Sequence, residues 1–178
     1  ELKEGDFVVQ NGANSSVGRA VIQLSKAAGY STINIVRERE TPAKTAELIN
    51  ELTQLGADHV LTDTQLRDRE FVKKYIQEKG LSSQKIAKLG INCVGGTAMS
   101  DLTRWMEPSG VVVTYGGMSK KPALIGTGSF IFSDLTFKGF WMTRWNQQHT
   151  PTDPERLAMY TKLFYLVKEG KLQQKHEV

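Results

Sequence analysis

Cysteine, histidine and proline are scarce in this chain, whose 178 residues include one Cys, three His and five Pro. With Cys93 alone, an internal disulfide framework and a Cys-rich zinc lobe are both excluded. His59, His149 and His176 are scattered without a close pair, so no metal site is expected within the chain. There is no long uncharged apolar run of the kind a membrane-spanning helix needs, and no membrane association is expected. No targeting segment is visible either. The chain opens Glu1-Leu-Lys-Glu-Gly-Asp6 without an initiator Met, which reads as an excised domain or a mature fragment, and the polar tail over 171–178 reads as a chain that continues.

What is present describes one packed domain. The apolar share is 39%, and the length suits a single core. The net charge of +4 comes from Lys and Arg interspersed with Asp and Glu, not gathered in a stripe. That pattern is a solvated surface and argues against nucleic acid as a partner, although some of the excess would suit a phosphate-rich ligand.

Short β-prone runs alternate with helical periodicities along the chain. Phe7-Val-Val-Gln10 reads as a buried strand between Gly5 and Gly12. A helix runs from Ser15 to a stop at Gly29, and Thr32-Ile-Asn-Ile-Val36 is the second strand. Thr41-Pro42 pairs a capping hydroxyl with Pro at the first helical position, opening a helix that stops before Gly56. His59-Val-Leu-Thr62, 88–94, 111–115 and 135–141 are the remaining strands. Helices are predicted over 69–80, over 97–106 with closure by Pro108-Ser-Gly110, and from Asp153-Pro154 towards Gly170. This alternation predicts an α/β fold with a doubly wound parallel sheet of Rossmann type. Its ligand sits at the carboxyl ends of the strands, and the loop over 117–129 faces it.

Gln10-Asn-Gly-Ala-Asn-Ser-Ser-Val-Gly18 occupies the place of the glycine-rich turn of a dinucleotide-binding βαβ unit. Where G-x-G-x-x-G has its glycines stand Ala13, Ser15 and Gly18; a Ser cap on an ordinary helix would look similar. About twenty residues on, where an acidic residue would hold an adenosine ribose, Arg37 and Arg39 flank Glu38. In extended backbone the two arginines project to one side and converge on a 2′-phosphate while Glu38 points away, which favours NADPH. Glu38 itself leaves NAD open. Glycine pairs follow two further strands, at Gly95-Gly96 and Gly116-Gly117, and let backbone approach a flat ring; simple strand-to-helix turns would also use them. Cys93 reads as a small buried hydrophobe. Phe137, Phe140, Trp141 and Trp145 cluster around the sixth strand, and an edge this aromatic would be protected by pairing with a second copy.

The chain resembles the cofactor-binding half of the medium-chain dehydrogenase/reductase superfamily over essentially its whole length. Within it, the chain is similar to the mitochondrial 2-enoyl thioester reductases, also called trans-2-enoyl-CoA or enoyl-acyl-carrier-protein reductases. The likeness is carried by 10–18, Asn34-Ile-Val-Arg-Glu-Arg39, Leu55-Gly-Ala-Asp-His-Val60, Asn92-Cys-Val-Gly-Gly96, Thr114-Tyr-Gly-Gly-Met118 and Lys138-Gly-Phe-Trp141. The resemblance implies NADPH-dependent reduction of the C2=C3 double bond of an enoyl thioester, carried on acyl carrier protein or coenzyme A, in mitochondrial fatty acid synthesis. It implies that Asn14, Ser15, Ser16, Val17 and Gly18 line the pyrophosphate and that Arg37 and Arg39 hold the 2′-phosphate beside Glu38. Tyr115, Gly116, Gly117 and Met118, with Phe140, Trp141 and Met142, would border the nicotinamide half. It also implies a homodimer formed through the edge strand near 135–145. The acid, a tyrosine of a GroES-like catalytic domain, is expected to lie outside these residues, so that no catalytic residue is assigned here and the chain alone is expected to be inactive. Two alternatives remain at this point: a quinone or alkenal oxidoreductase of the same superfamily, and a non-catalytic nucleotide-binding interaction module.

Overall fold

A computed structural model describes residues 1–174; His176 and the end of the tail lie outside the described residues. Six parallel strands form one sheet in the order β3-β2-β1-β4-β5-β6. The strands are β1 (Phe7–Asn11), β2 (Ser31–Val36), β3 (His59–Thr62), β4 (Ala87–Asn92), β5 (Met106–Thr114) and β6 (Thr136–Gly139). The order runs outward in one direction from β1 to β3 and in the other from β4 to β6, so the switch point lies between β1 and β4. A crevice opens there because the crossovers on either side leave in opposite directions, and it is where such sheets bind ligands.

Helices α1 (Ser16–Ala27) and α2 (Pro42–Gln54) follow β1 and β2, while α3 (Arg69–Glu78) and α4 (Gly96–Thr103) follow β3 and β4. Two apolar cores result. Ile22, Leu48 and Leu52 of α1 and α2 pack with Ala13, Val36 and Ala57. Val72, Met99 and Leu102 of α3 and α4 pack with Val9, Ile33, Leu61, Trp105, Met106 and Val112. The central strands are therefore buried on both faces, as a parallel sheet covered on both sides requires, though the face of β1 and β2 towards α1 also carries Gln10, Thr32 and Asn34.

The predicted starts of α1, α2 and α7 (Pro154–Lys168) rest on side-chain caps at Ser15, Thr41 and Asp153, with Pro42 and Pro154 in the first turn. The end of α4 differs from expectation. The helix stops at Thr103, and Trp105 and Met106, both fully buried, already belong to the approach and start of β5. Pro108-Ser-Gly110 does not close a helix; it lies inside β5, where the pairing jumps from Ala87 opposite Met106 to Leu89 opposite Val111. Pro108 has no N–H to give a ladder, so it occupies the interruption.

Two short α-helices were not foreseen: α5 (Thr127–Ile131), which starts within the expected loop and runs past its end, and α6 (Met142–Gln148). The sixth strand is correspondingly shorter than 135–141, and Phe140 and Trp141 stand in the turn between β6 and α6. Neither short helix has a side-chain cap, so neither carries the signal that marks the longer ones.

Candidate cofactor site

The turn after β1 is built by one strained glycine and one close approach. Gly12 has φ +63°, and a Cβ there would stand 2.5 Å from Cys93 Sγ. Gly18, buried in the first turn of α1, leaves no room at all: an added Cβ would meet the Ala13 carbonyl oxygen at 2.6 Å and Ala13 Cα at 2.7 Å. Gly18 thus performs the helix-to-turn contact expected of the last glycine in the motif. Ser15 caps the helix, its Oγ accepting from the Gly18 N–H at 3.1 Å. Ser16 and Val17 are exposed in the first turn, where backbone N–H groups lack partners within the helix.

Under this turn lies a polar lattice that sequence reasoning missed. Gln10 Nε2 donates to the Gly18 carbonyl at 2.9 Å and to Asn34 Oδ1 at 2.8 Å, tying the start of α1 to β1 and β2. Asn11 Nδ2 donates to Asn92 Oδ1 at 2.7 Å across the switch point. Asn11 Oδ1 accepts from the Cys93 N–H at 2.9 Å, and Asn92 Nδ2 donates to Thr114 Oγ1 at 3.1 Å. Asn92 Oδ1 also takes the Gly95 N–H at 3.1 Å. The carboxyl ends of β1, β4 and β5 are held by two amides that are almost completely buried. An Asn ending each of two apolar strands was the available signal.

At the end of β2 the three charged residues diverge. Glu38 turns to β3: its carboxylate accepts from the Thr64 hydroxyl, and its N–H donates to Asp63 Oδ1 at 3.0 Å. Arg39 is half-buried, with its N–H held by Thr45 Oγ1 at 3.0 Å. Its side chain lines a cleft of about 1140 Å³ together with Asn14 and Ser16. Arg37 is exposed and does not line that cleft. Among the described residues neither guanidinium is paired with a carboxylate.

The residues expected around a nicotinamide stand past the ends of β5 and β6. Tyr115 is half-buried, and its N–H donates to the Asn92 carbonyl at 3.0 Å. Burial pushes its phenol well above the usual range, with Cys93 adding to the rise and Ser15 opposing it, so the hydroxyl stays protonated at neutral pH. Gly116 packs against Cys93, where an added Cβ would stand 3.2 Å from the carbonyl oxygen, whereas Gly117 is open. Met118 is 67% exposed, yet its sulfur lies 3.7 Å from Cys93 Sγ. Phe140, Trp141 and Met142 are all exposed, with the Phe140 N–H donating to the Thr114 carbonyl at 2.8 Å. All four groups of candidate residues, after β1, β2, β5 and β6, therefore share the carboxyl edge of the sheet.

Residues 16–157 match the family model described as zinc-binding dehydrogenase. The chain belongs to this family. Among the described residues no cluster of three or more His, Cys, Asp or Glu side chains is placed to hold a metal ion. The chain is 47% identical over 149 residues to the mitochondrial enoyl-[acyl-carrier-protein] reductase of Yarrowia lipolytica, covering 84% of this chain and 38% of that protein. It is 42% identical to the corresponding protein of Caenorhabditis elegans, covering 100% of this chain and 47% of that protein. The chain thus spans less than half the length of these relatives. Among solved structures, the Etr1p/NADP/crotonyl-CoA complex superposes with a TM-score of 0.85 at 31% identity, covering 99% of this chain and 47% of that one. The mitochondrial 2-enoyl thioester reductase Etr1p/Etr2p heterodimer from Candida tropicalis gives 0.85 at 30% identity over the same shares.

Proposed function

We propose that this chain is the cofactor-binding domain of an NADPH-dependent 2-enoyl thioester reductase, which reduces the C2=C3 bond of an enoyl group carried on acyl carrier protein or coenzyme A. The observation that carries the reading is the parting of the charges after β2. Arg39 faces a cleft with Asn14 and Ser16, while Glu38, the residue able to hold an unphosphorylated ribose, is engaged by Thr64. The names of the relatives and the NADP and crotonyl-CoA of the solved neighbour support it.

When bound, NADPH supplies a hydride to the β-carbon of the thioester. This chain's residues bind and orient it. Amides of Asn14, Ser16 and Val17 face the pyrophosphate, Ser15 lines it while its own N–H closes the turn on the Gly12 carbonyl, and Gly18 allows the approach; Arg39 neutralises the 2′-phosphate from the cleft, with Arg37 adding positive charge from outside it. Tyr115, Gly116, Gly117 and Met118, with Phe140, Trp141 and Met142, wall the nicotinamide side; Tyr115, kept protonated, serves there as a hydrogen-bond donor and not as a base. The proton donor to the thioester lies outside these 178 residues, in a GroES-like catalytic domain, so the chain by itself binds NADPH without turnover. The whole enzyme works in the mitochondrion, as its relatives' names support. It is a homodimer paired along β6, an edge strand beside the exposed Phe132 and Trp141.

The test is nucleotide oxidation by the intact protein with a trans-2-enoyl thioester and, in parallel, a quinone. Oxidation of NADPH with the thioester and little with NADH is expected. Equal rates with both nucleotides, or turnover with the quinone alone, would overturn the reading.

A further inference from the structure

The cleft that Arg39 lines contains a carboxylate. Glu51 of α2 borders it beside Asn14, Ser16 and Arg39. An acid in a cleft meant for a phosphate ester would repel it, and one side chain answers this. Arg19 of α1 grips Glu51 with both terminal nitrogens, Nη1 to Oε1 at 2.8 Å and Nη2 to Oε2 at 2.9 Å. Its Nε meanwhile donates to the Asn14 carbonyl at 3.1 Å, inside the turn itself. The Arg19 side chain is 16% exposed and that of Glu51 33%, so the pair is only partly screened by solvent. Each of the three guanidinium nitrogens is thereby committed to one of two tasks: fixing the turn at Asn14 and countering the charge of Glu51.

On the NADPH reading proposed above, we infer that Arg19 is a specificity-determining positioning residue for the 2′-phosphate. Whatever else Glu51 touches, deleting the guanidinium makes the cleft one charge more negative. That change weighs on a nucleotide with a 2′-phosphate and far less on one with a free 2′-hydroxyl. Loss of the Asn14 contact, by contrast, loosens the turn for both nucleotides alike. The ratio of the two affinities therefore isolates the electrostatic part.

NADPH and NADH affinities of the intact protein, measured by calorimetry at low salt, test this with Arg19→Gln, Arg19→Lys, Glu51→Gln and the Arg19→Gln/Glu51→Gln double variant. The preference for NADPH is expected to fall about tenfold in Arg19→Gln, the size of one unit charge acting across a partly exposed cleft. It should stay within about threefold of the wild type in Arg19→Lys and in the double variant, where net charge is preserved, and rise in Glu51→Gln. A preference unchanged in Arg19→Gln, or equally reduced in the double variant, overturns the role of Arg19 while leaving the NADPH reading intact. A wild-type protein with no preference for NADPH removes that reading, and this inference with it.

Discussion

Gly18 and Asn92 make opposite demands on their surroundings. Gly18 needs nothing at its Cβ position, because the Ala13 backbone at 2.6 Å cannot yield as a flexible side chain would. Gly18→Ala is expected to cost about 1–3 kcal/mol by overpacking, read as a lowered urea midpoint, and to weaken nucleotide binding because the turn must shift. Asn92 needs every polar atom it carries: its amide serves Asn11, Thr114 and Gly95 in a site with no exposure. Asn92→Leu leaves the Gly95 N–H without its acceptor and the Asn11 amide with only the 3.5 Å contact to the Ala98 carbonyl, and a loss of about 2–3 kcal/mol is expected in the same measurement. Gly18 was legible in the sequence, since the spacing from β1 asked for a glycine there. The Asn11–Asn92 pair was not, because the two residues are 81 apart and nothing local joins them.

At the scale of elements, α1, α2 and α7 were legible because each opens on a side-chain cap; α4 has none and its end was misplaced, and the short α5 and α6, also without one, were missed. The start of α2 does more than begin a helix. Thr45 Oγ1 donates to the Thr41 carbonyl at 3.2 Å and accepts the Arg39 N–H at 3.0 Å, so the first turn of α2 fixes the backbone of the arginine that lines the cleft proposed for the 2′-phosphate. Thr45→Val removes both bonds at nearly constant volume. A stability loss of about 1 kcal/mol is expected, together with a severalfold weaker affinity for NADPH and a smaller change for NADH, measured by titration of both nucleotides. Equal changes for both nucleotides would detach Thr45 from the Arg39 position.

Across the whole molecule, stability depends on a group far from the cofactor edge. His59 starts β3 at the opposite end of the sheet, with Nδ1 3.0 Å from the Tyr75 hydroxyl and its ring stacked on Phe7. Burial lowers its pKa from the ordinary 6.5, with Asp58 opposing and Lys79 adding to the drop. The unfolded chain therefore binds the proton more readily than the folded one. Stability is complete above about pH 6.5 and falls as the pH is lowered towards the depressed folded value. Unfolding midpoints between pH 5 and 8 should show this slope, and His59→Phe should flatten it; a slope unchanged in the variant would assign it to another group. Tyr75, held by burial at about 12, does not titrate in that range.

Fold class, strand alternation and the tight turn after β1 were determined by the sequence alone, because each rests on a local rule: period two or 3.6, a cap, a glycine. The tertiary structure decided what those residues face. It set Glu38 against Thr64, held the Arg39 N–H on Thr45, joined Arg19 to Glu51, and moved Pro108 from a helix end into an interrupted strand. These are contacts between segments separated in the chain, and their energies depend on the distance and burial that packing alone establishes.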